Sequence, residues 1–269
     1  MRSILPAVAC LVLAACADRP PTEPEAPSLI INGQPTGAAY GAVGAVLYDF
    51  DRNGVVEGGE QLCTGTLIAP RVFLTAAHCL AWLPAAAALY VTFAPELFAG
   101  PLNLVAAASF TVDPAYRHDR ANPHDLAVIE LGNPVAGIVP LTLPPAGYLD
   151  GLAAKGGLRG RNFVNVGYGL SASLTGKPTF GSDGARKMSR SPFQSLRPNV
   201  LSLLMATRAT QLGGDCYGDS GGPKFPEGNS QMIVAVLSWG DTPCRAISVN
   251  YRLDTPSARA FLGRFVALP

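Results

Sequence analysis

Charge is scarce in this chain: 14% of its 269 residues are charged, and 20 Lys and Arg against 19 Asp and Glu leave a formal net charge of +1. So neutral a balance argues against a nucleic-acid partner, which would need clustered cations. Histidine is rarer still, with only three residues, His78, His118 and His124. No two cysteines have CxxC spacing, so a thiolate metal site fits poorly. Sustained helical periodicity is also missing; only 257–266, with Ala260, Phe261, Leu262 and Phe265 near helical spacing, reads as a short helix. The apolar run 4–15 behind Arg2 is too short for a membrane span and has the form of an export signal.

Turn formers, by contrast, are plentiful. With 29 Gly and 24 Pro, the apolar runs are short and punctuated, as at 44–48, 126–131, 162–166 and 232–239. That pattern predicts an all-β chain with many turns, long enough for two small cores. The boundary between them is expected at 144–157, giving a first half of about 30–150 and a second of about 151–269. No internal repeat is visible.

The N-terminal segment divides further. Leu13-Ala14-Ala15-Cys16 resembles the lipobox of bacterial lipoproteins, which implies signal cleavage before Cys16 and lipidation of its thiol. Ordinary signal cleavage after Ala17 is the competing reading. Residues 17–29 are rich in proline with Glu and Thr, as in an extended tether. Cys10 and Cys16 fall in this leader, leaving Cys63, Cys79, Cys216 and Cys244 in the folded part. Two bridges are the natural count, and four cysteines allow three pairings. Such bridges place the chain in an oxidising compartment.

Gly218-Asp219-Ser220-Gly221-Gly222-Pro223 concentrates the chemistry. A serine hydroxyl needs a base and a site for the negative charge that develops on the attacked carbonyl. Gly218 can adopt backbone angles that aim its N–H, with that of Ser220, at one oxygen. Gly221 and Gly222 are expected to let a substrate backbone come close. Leu74-Thr75-Ala76-Ala77-His78-Cys79 supplies the base, and His124-Asp125-Leu126-Ala127-Val128-Ile129 an aspartate to orient it. Strand alternation is expected to turn His124 away from Asp125, and neither His124 nor His118 is assigned to catalysis.

The order His, Asp, Ser and these motifs resemble the trypsin and chymotrypsin family of serine proteases. Cys63-Thr64-Gly65-Thr66-Leu67-Ile68, Val166-Gly167-Tyr168-Gly169 and Leu237-Ser238-Trp239-Gly240 extend the resemblance from Ile30 to the C-terminus. It implies two six-stranded antiparallel β-barrels, with His78 and Asp125 on the first and Ser220 on the second. It also implies the pairs Cys63 with Cys79 and Cys216 with Cys244. The expected activity is peptide-bond hydrolysis through an acyl-enzyme by a monomeric, cofactor-independent enzyme. A catalytically silent binding module of the same fold is the alternative.

Three further expectations follow. Ile30-Ile31-Asn32-Gly33 resembles the new N-terminus of this family's cut zymogens, so a freed Ile30 ammonium would pair with buried Asp219 and order Gly218. The other reading makes Ile30 part of the first strand and leaves Asp219 to backbone N–H groups. Leu29 before the cut departs from the usual basic residue and implies an activating protease of other specificity. The substrate pocket would be formed by Gly214, Asp215, Ser238, Trp239 and Gly240, with Tyr217 and Asp241 at its rim. Gly214 stands where trypsin-like members carry an aspartate; Asp215 either attracts Lys or Arg, or points away or is neutralised. Finally, Asp49, Asp51, Asn53 and Glu60, with Gly54 between, have calcium-loop spacing, yet their flanks read as strands. A calcium site in a hairpin and a plain polar hairpin tip both fit.

Overall fold

Val, Leu, Ile and Phe in short runs, interrupted by Gly and Pro, close into two antiparallel barrels. The computed structural model describes residues 32–173 and 176–269. After β1 (Gln34–Pro35), the first barrel is built from β2 (Val43–Tyr48), β3 (Gln61–Ala69), β4 (Val72–Thr75), β5 (Leu89–Thr92), β6 (Val105–Val112) and β7 (Ala127–Leu131). Its order is β2-β3-β4-β7-β6-β5, closed by pairing of β5 with β2. The second barrel uses β8 (Asn162–Gly167), then, past the short pair β9 (Ser171–Ala172) and β10 (Phe180–Gly181), β11 (Lys187–Leu196), β12 (Val200–Leu204), β13 (Pro223–Pro226), β14 (Ala235–Gly240) and β15 (Ile247–Arg252). β8 pairs with both β11 and β13 and so closes the second ring of six.

β1 joins neither ring. Gln34 and Pro35 pair with Met188 and Lys187 of β11, so the chain begins against the second barrel before entering the first. Arg186 fixes that crossing. Its buried guanidinium donates to the carbonyls of Gly37, Ala39, Val43 and Phe93 and to Thr36 Oγ1, at 2.9–3.1 Å. A buried cation without a carboxylate partner would be costly alone; all-donor geometry matched by so many carbonyl and hydroxyl acceptors offsets this.

The interiors differ. Val46, Leu67, Phe73, Val91 and Ile129 fill the first barrel's buried cluster. Around the second barrel, Asn165, Ser189, Ser191, Lys224, Ser248 and Asn250 are all buried. Asn165 Nδ2 donates to Ser189 Oγ and Ser191 Oγ at 3.0 and 2.8 Å.

The expected C-terminal helix is present as Pro256–Leu262, capped at its N-terminus by Thr255 Oγ1 and burying Phe261 and Leu262. Of the described helices that escaped the pattern, one is longer than a single turn. Tyr148–Ala154 lies inside the expected boundary segment, and of its residues only Leu149 is buried. Seven residues with one buried apolar position give no usable period.

Candidate active site

His78 sits on a single helical turn, Ala77–Leu80, directly after β4. A turn this short is marginal alone. It is held from below by the Cys63–Cys79 disulfide and from the side by Asp125. The carboxylate of Asp125, a residue 2% exposed, takes two donors from His78: Oδ1 accepts the His78 backbone N–H at 2.9 Å, and Oδ2 lies 2.8 Å from His78 Nδ1. Ser238 Oγ donates to Asp125 Oδ2 as well. Bonding at Nδ1 leaves Nε2 as the ring nitrogen free to exchange a proton.

Ser220 lies across the barrel interface, and His78 and Ser220 line one cavity of about 350 Å³. Ser220 Oγ makes no hydrogen bond among the described residues; catalytic contacts commonly tighten only with substrate in place. The turn around it is tightly specified. Gly218 has φ +94°, and its carbonyl accepts from Gln61 Nε2 and Thr64 Oγ1 at 2.8 and 2.9 Å. With the carbonyl pinned, the N–H groups of Gly218 and Ser220 donate to nothing among the described residues, as an oxyanion site requires. Gly221 corrects one expectation. A Cβ there would stand 2.6 Å from Thr64 O and 2.7 Å from Ala76 N, so its bareness serves close approach of the two barrels rather than of a substrate.

Asp219 is 1% exposed. Oδ1 accepts from Gly169 N at 2.8 Å and Oδ2 from Cys216 N at 2.9 Å. No cation reaches ion-pair distance among the described residues. Burial, and then the nearby charge of Asp215, push its carboxyl up to about 7. Ile30, its expected partner, lies outside the described residues, as do Leu29, Cys10 and Cys16.

Four of the five pocket residues expected from sequence come together, and Gly214 is the correction, since it does not line the cavity. Asp215, Ser238, Trp239 and Gly240 line the cavity with Met205, Leu237, Tyr217, Asp241 and Ser248. Cys216–Cys244, the second disulfide, joins the two walls. Gly214 lies behind, where a Cβ would meet Met205 Cβ at 2.6 Å and Sδ at 2.8 Å. Tyr217 spans the mouth, its hydroxyl donating to Thr242 O at 3.0 Å and its ring meeting Phe180 edge-on at 5.3 Å. Sequence reasoning missed Lys224, whose Nζ lies 2.6 Å from Asp215 Oδ1 with both side chains buried. The one signal was a lysine set in the otherwise apolar run Pro223–Pro226, all four residues of which are buried.

The remaining histidines stay apart from Ser220. His118 packs edge-on to Tyr116, and His124 faces Asp113 at 3.5 Å. The reason given for His124 needs correcting, since its φ of +51° makes it a left-handed turn residue ahead of β7, with no strand alternation to obey. In the β2–β3 hairpin, carboxylate oxygens of Asp49, Asp51 and Glu60 lie within 4.8 Å of one another. Each also accepts backbone N–H groups, Asp49 from Asn53 and Gly54, and Glu60 from Phe50 and Glu57. Asn53 instead bonds Asp51 through Nδ2 and Val55 N through Oδ1.

A histidine clamped by a buried aspartate, facing a serine across the seam of two antiparallel barrels, defines the class as double-barrel serine hydrolases. Residues 49–260 match the family model described as Trypsin, and the chain belongs to that family of serine proteases. Human granzyme M is 29% identical over 203 residues, covering 70% of this chain and 73% of the relative. Trypsin of Saccharopolyspora erythraea is 30% identical over 193 residues, covering 70% and 79% respectively. The solved structure of human heparin binding protein is similar in fold, with a TM-score of 0.65 at 19% identity, covering 87% of this chain and 95% of that one.

Proposed function

We propose that the chain is a serine endopeptidase. The observation that carries this reading is the His78–Asp125 contact at 2.8 Å opening onto the cavity that holds Ser220. Ser220 Oγ attacks the scissile carbonyl while His78 Nε2 takes its proton, then returns it to the leaving amine. Asp125 fixes the ring and stabilises the imidazolium. The N–H groups of Gly218 and Ser220 receive the oxyanion, and water later releases the acyl group from Ser220. Protein substrates follow from this chemistry, and the two disulfides fit an oxidising compartment. Hydrolysis of casein that disappears in Ser220→Ala tests the reading; casein left intact by the chain once it has been cut to begin at Ile30 would leave a binding module instead.

Processing forms a second layer of the proposal. The chain is made as a precursor, anchored through lipidated Cys16 and activated by cleavage before Ile30, whose ammonium then pairs with Asp219. The buried carboxylate of Asp219, which makes no ion pair among the described residues, supports this. Mass spectrometry of the native N-terminus tests it, and active enzyme still carrying residues 17–29 would overturn the activation step. The calcium reading of the Asp49 to Glu60 loop is carried on its sequence motif, with thermal denaturation against added calcium as the test.

A further inference from the structure

Behind the pocket wall a buried acid and a buried base stand together, and the pair alters what the pocket attracts. Asp215 lines the cavity; Lys224 does not. Lys224 lies opposite Asn165 in the β13–β8 register, so it points into the polar interior of the second barrel and approaches Asp215 from behind. Its Nζ takes Oδ1 at 2.6 Å. Asp215 Oδ2 is buried with no hydrogen-bond partner among the described residues.

The carboxylate therefore offers an acceptor without net charge. A guanidinium or ammonium reaching Oδ2 would share one carboxylate with Lys224 in a poorly screened site, where like charges repel. A hydrocarbon tip would leave Oδ2 buried and unsatisfied. A neutral donor avoids both penalties. Met205, Leu237 and Trp239 line the same cavity as Asp215 and suit an apolar stem. Asp241, also on the cavity wall, accepts the backbone N–H groups of Arg245, Ala246 and Ile247 at 2.8–2.9 Å and keeps its own charge, separate from the Asp215–Lys224 pair.

Resting on the endopeptidase reading, we propose that the pocket selects, before the cut, an uncharged side chain that is apolar along its length and ends in a hydrogen-bond donor. Glutamine and tyrosine meet that description. Lys224, acting through Asp215, is the residue that turns lysine and arginine away.

Peptides identical except for Gln, Met, Tyr, Phe, Arg or Lys before the cut are compared by kcat/KM. The expected order places Gln above Met and Tyr above Phe by at least about tenfold, with Arg and Lys slowest. In Lys224→Met the Arg-to-Gln ratio rises by at least about tenfold, a change that general loss of structure would not produce. Arg or Lys as the best substrate overturns the proposal, as does parity within the Gln/Met and Tyr/Phe pairs, or an unchanged ratio in a folded Lys224→Met. The wild-type ranking decides the preference even if that variant fails to fold. A chain that cuts casein but none of the six peptides overturns the pocket proposal alone. One already cut to begin at Ile30 that cuts neither, and takes no fluorophosphonate on Ser220, overturns the endopeptidase reading and this proposal with it.

Discussion

Inside the first barrel Val46, Leu67, Phe73, Val91 and Ile129 are buried, with Thr64 and Thr66 as the polar exceptions on β3; the second buries Phe163, Leu201 and Leu203 but sets Asn165, Ser189, Ser191, Lys224, Ser248 and Asn250 beside them. Both interiors sit in closed six-stranded rings, so strand count and closure do not dictate what fills them. An apolar interior gains from every area withdrawn from water and tolerates no gap. A polar one must satisfy its members together or lose by burying them. Three of the four buried side-chain acceptors left without partners among the described residues, on Asn165, Asp215 and Asn250, belong to the second half. The pocket opens into that half, and the first presents His78 and Asp125 from a rigid apolar base.

The largest effect tests whether the halves act as one unit. Ser220→Ala or His78→Ala is expected to lower kcat by about 10⁴ to 10⁶, and the double variant to be little worse than either. Additive losses in steady-state kinetics would separate the barrels functionally.

Stability sharpens the contrast of interiors. Phe73→Ala should cost roughly 3–5 kcal/mol in urea denaturation, with no second change to restore it. Lys224→Met should cost a similar 3–5 kcal/mol by stranding Asp215, yet Lys224→Met with Asp215→Leu should recover most of it. A double variant no better than the single would break the comparison. Replacing Cys63 and Cys79 by Ser should cost about 3 kcal/mol and release the histidine turn; unchanged stability would show that Asp125 alone holds it.

A smaller, pH-dependent effect belongs to Asp219. Its folded pKa, about 7, stands above the ordinary 3.8, so the unfolded chain ionises first as pH rises. This group's stabilisation is full below about 4, is lost between about 4 and 7, and stays absent above. Asp219→Asn should flatten that decline in denaturation series across pH, and a chain carrying a freed Ile30 should show it weakened. The least effect is expected from calcium, with a rise in Tm of a few degrees that vanishes in Asp51→Ala.

What could be read from sequence follows from how local each feature is. Ser220, Gly218, His78 and Asp125 each lie in a short motif whose chemistry is spelled by adjacent residues, and the structure brings them to the barrel seam. Lys224 did not stand out because its partner is chosen by strand register: nine positions separate it from Asp215, and only closure of β8 against β13 sends it inward. The purpose of Gly221 was misread for the same reason, since Thr64 and Ala76 approach it from the other barrel. His124 shows the opposite failure, a local rule applied where the backbone had left the strand.

The proposed triad is split between two bodies, so any rocking of one barrel on the other changes the distance a proton must travel from Ser220 to His78. Arg186 acts as the hinge pin of that joint: one flat, rigid fork engages the entry segment at Thr36, Gly37 and Ala39 and the first barrel at Val43 and Phe93, from a base in the second. An in-line attack is degraded by misalignment of about 1 Å. A side chain that does not line the cavity thus ties together the two bodies whose alignment the reaction needs.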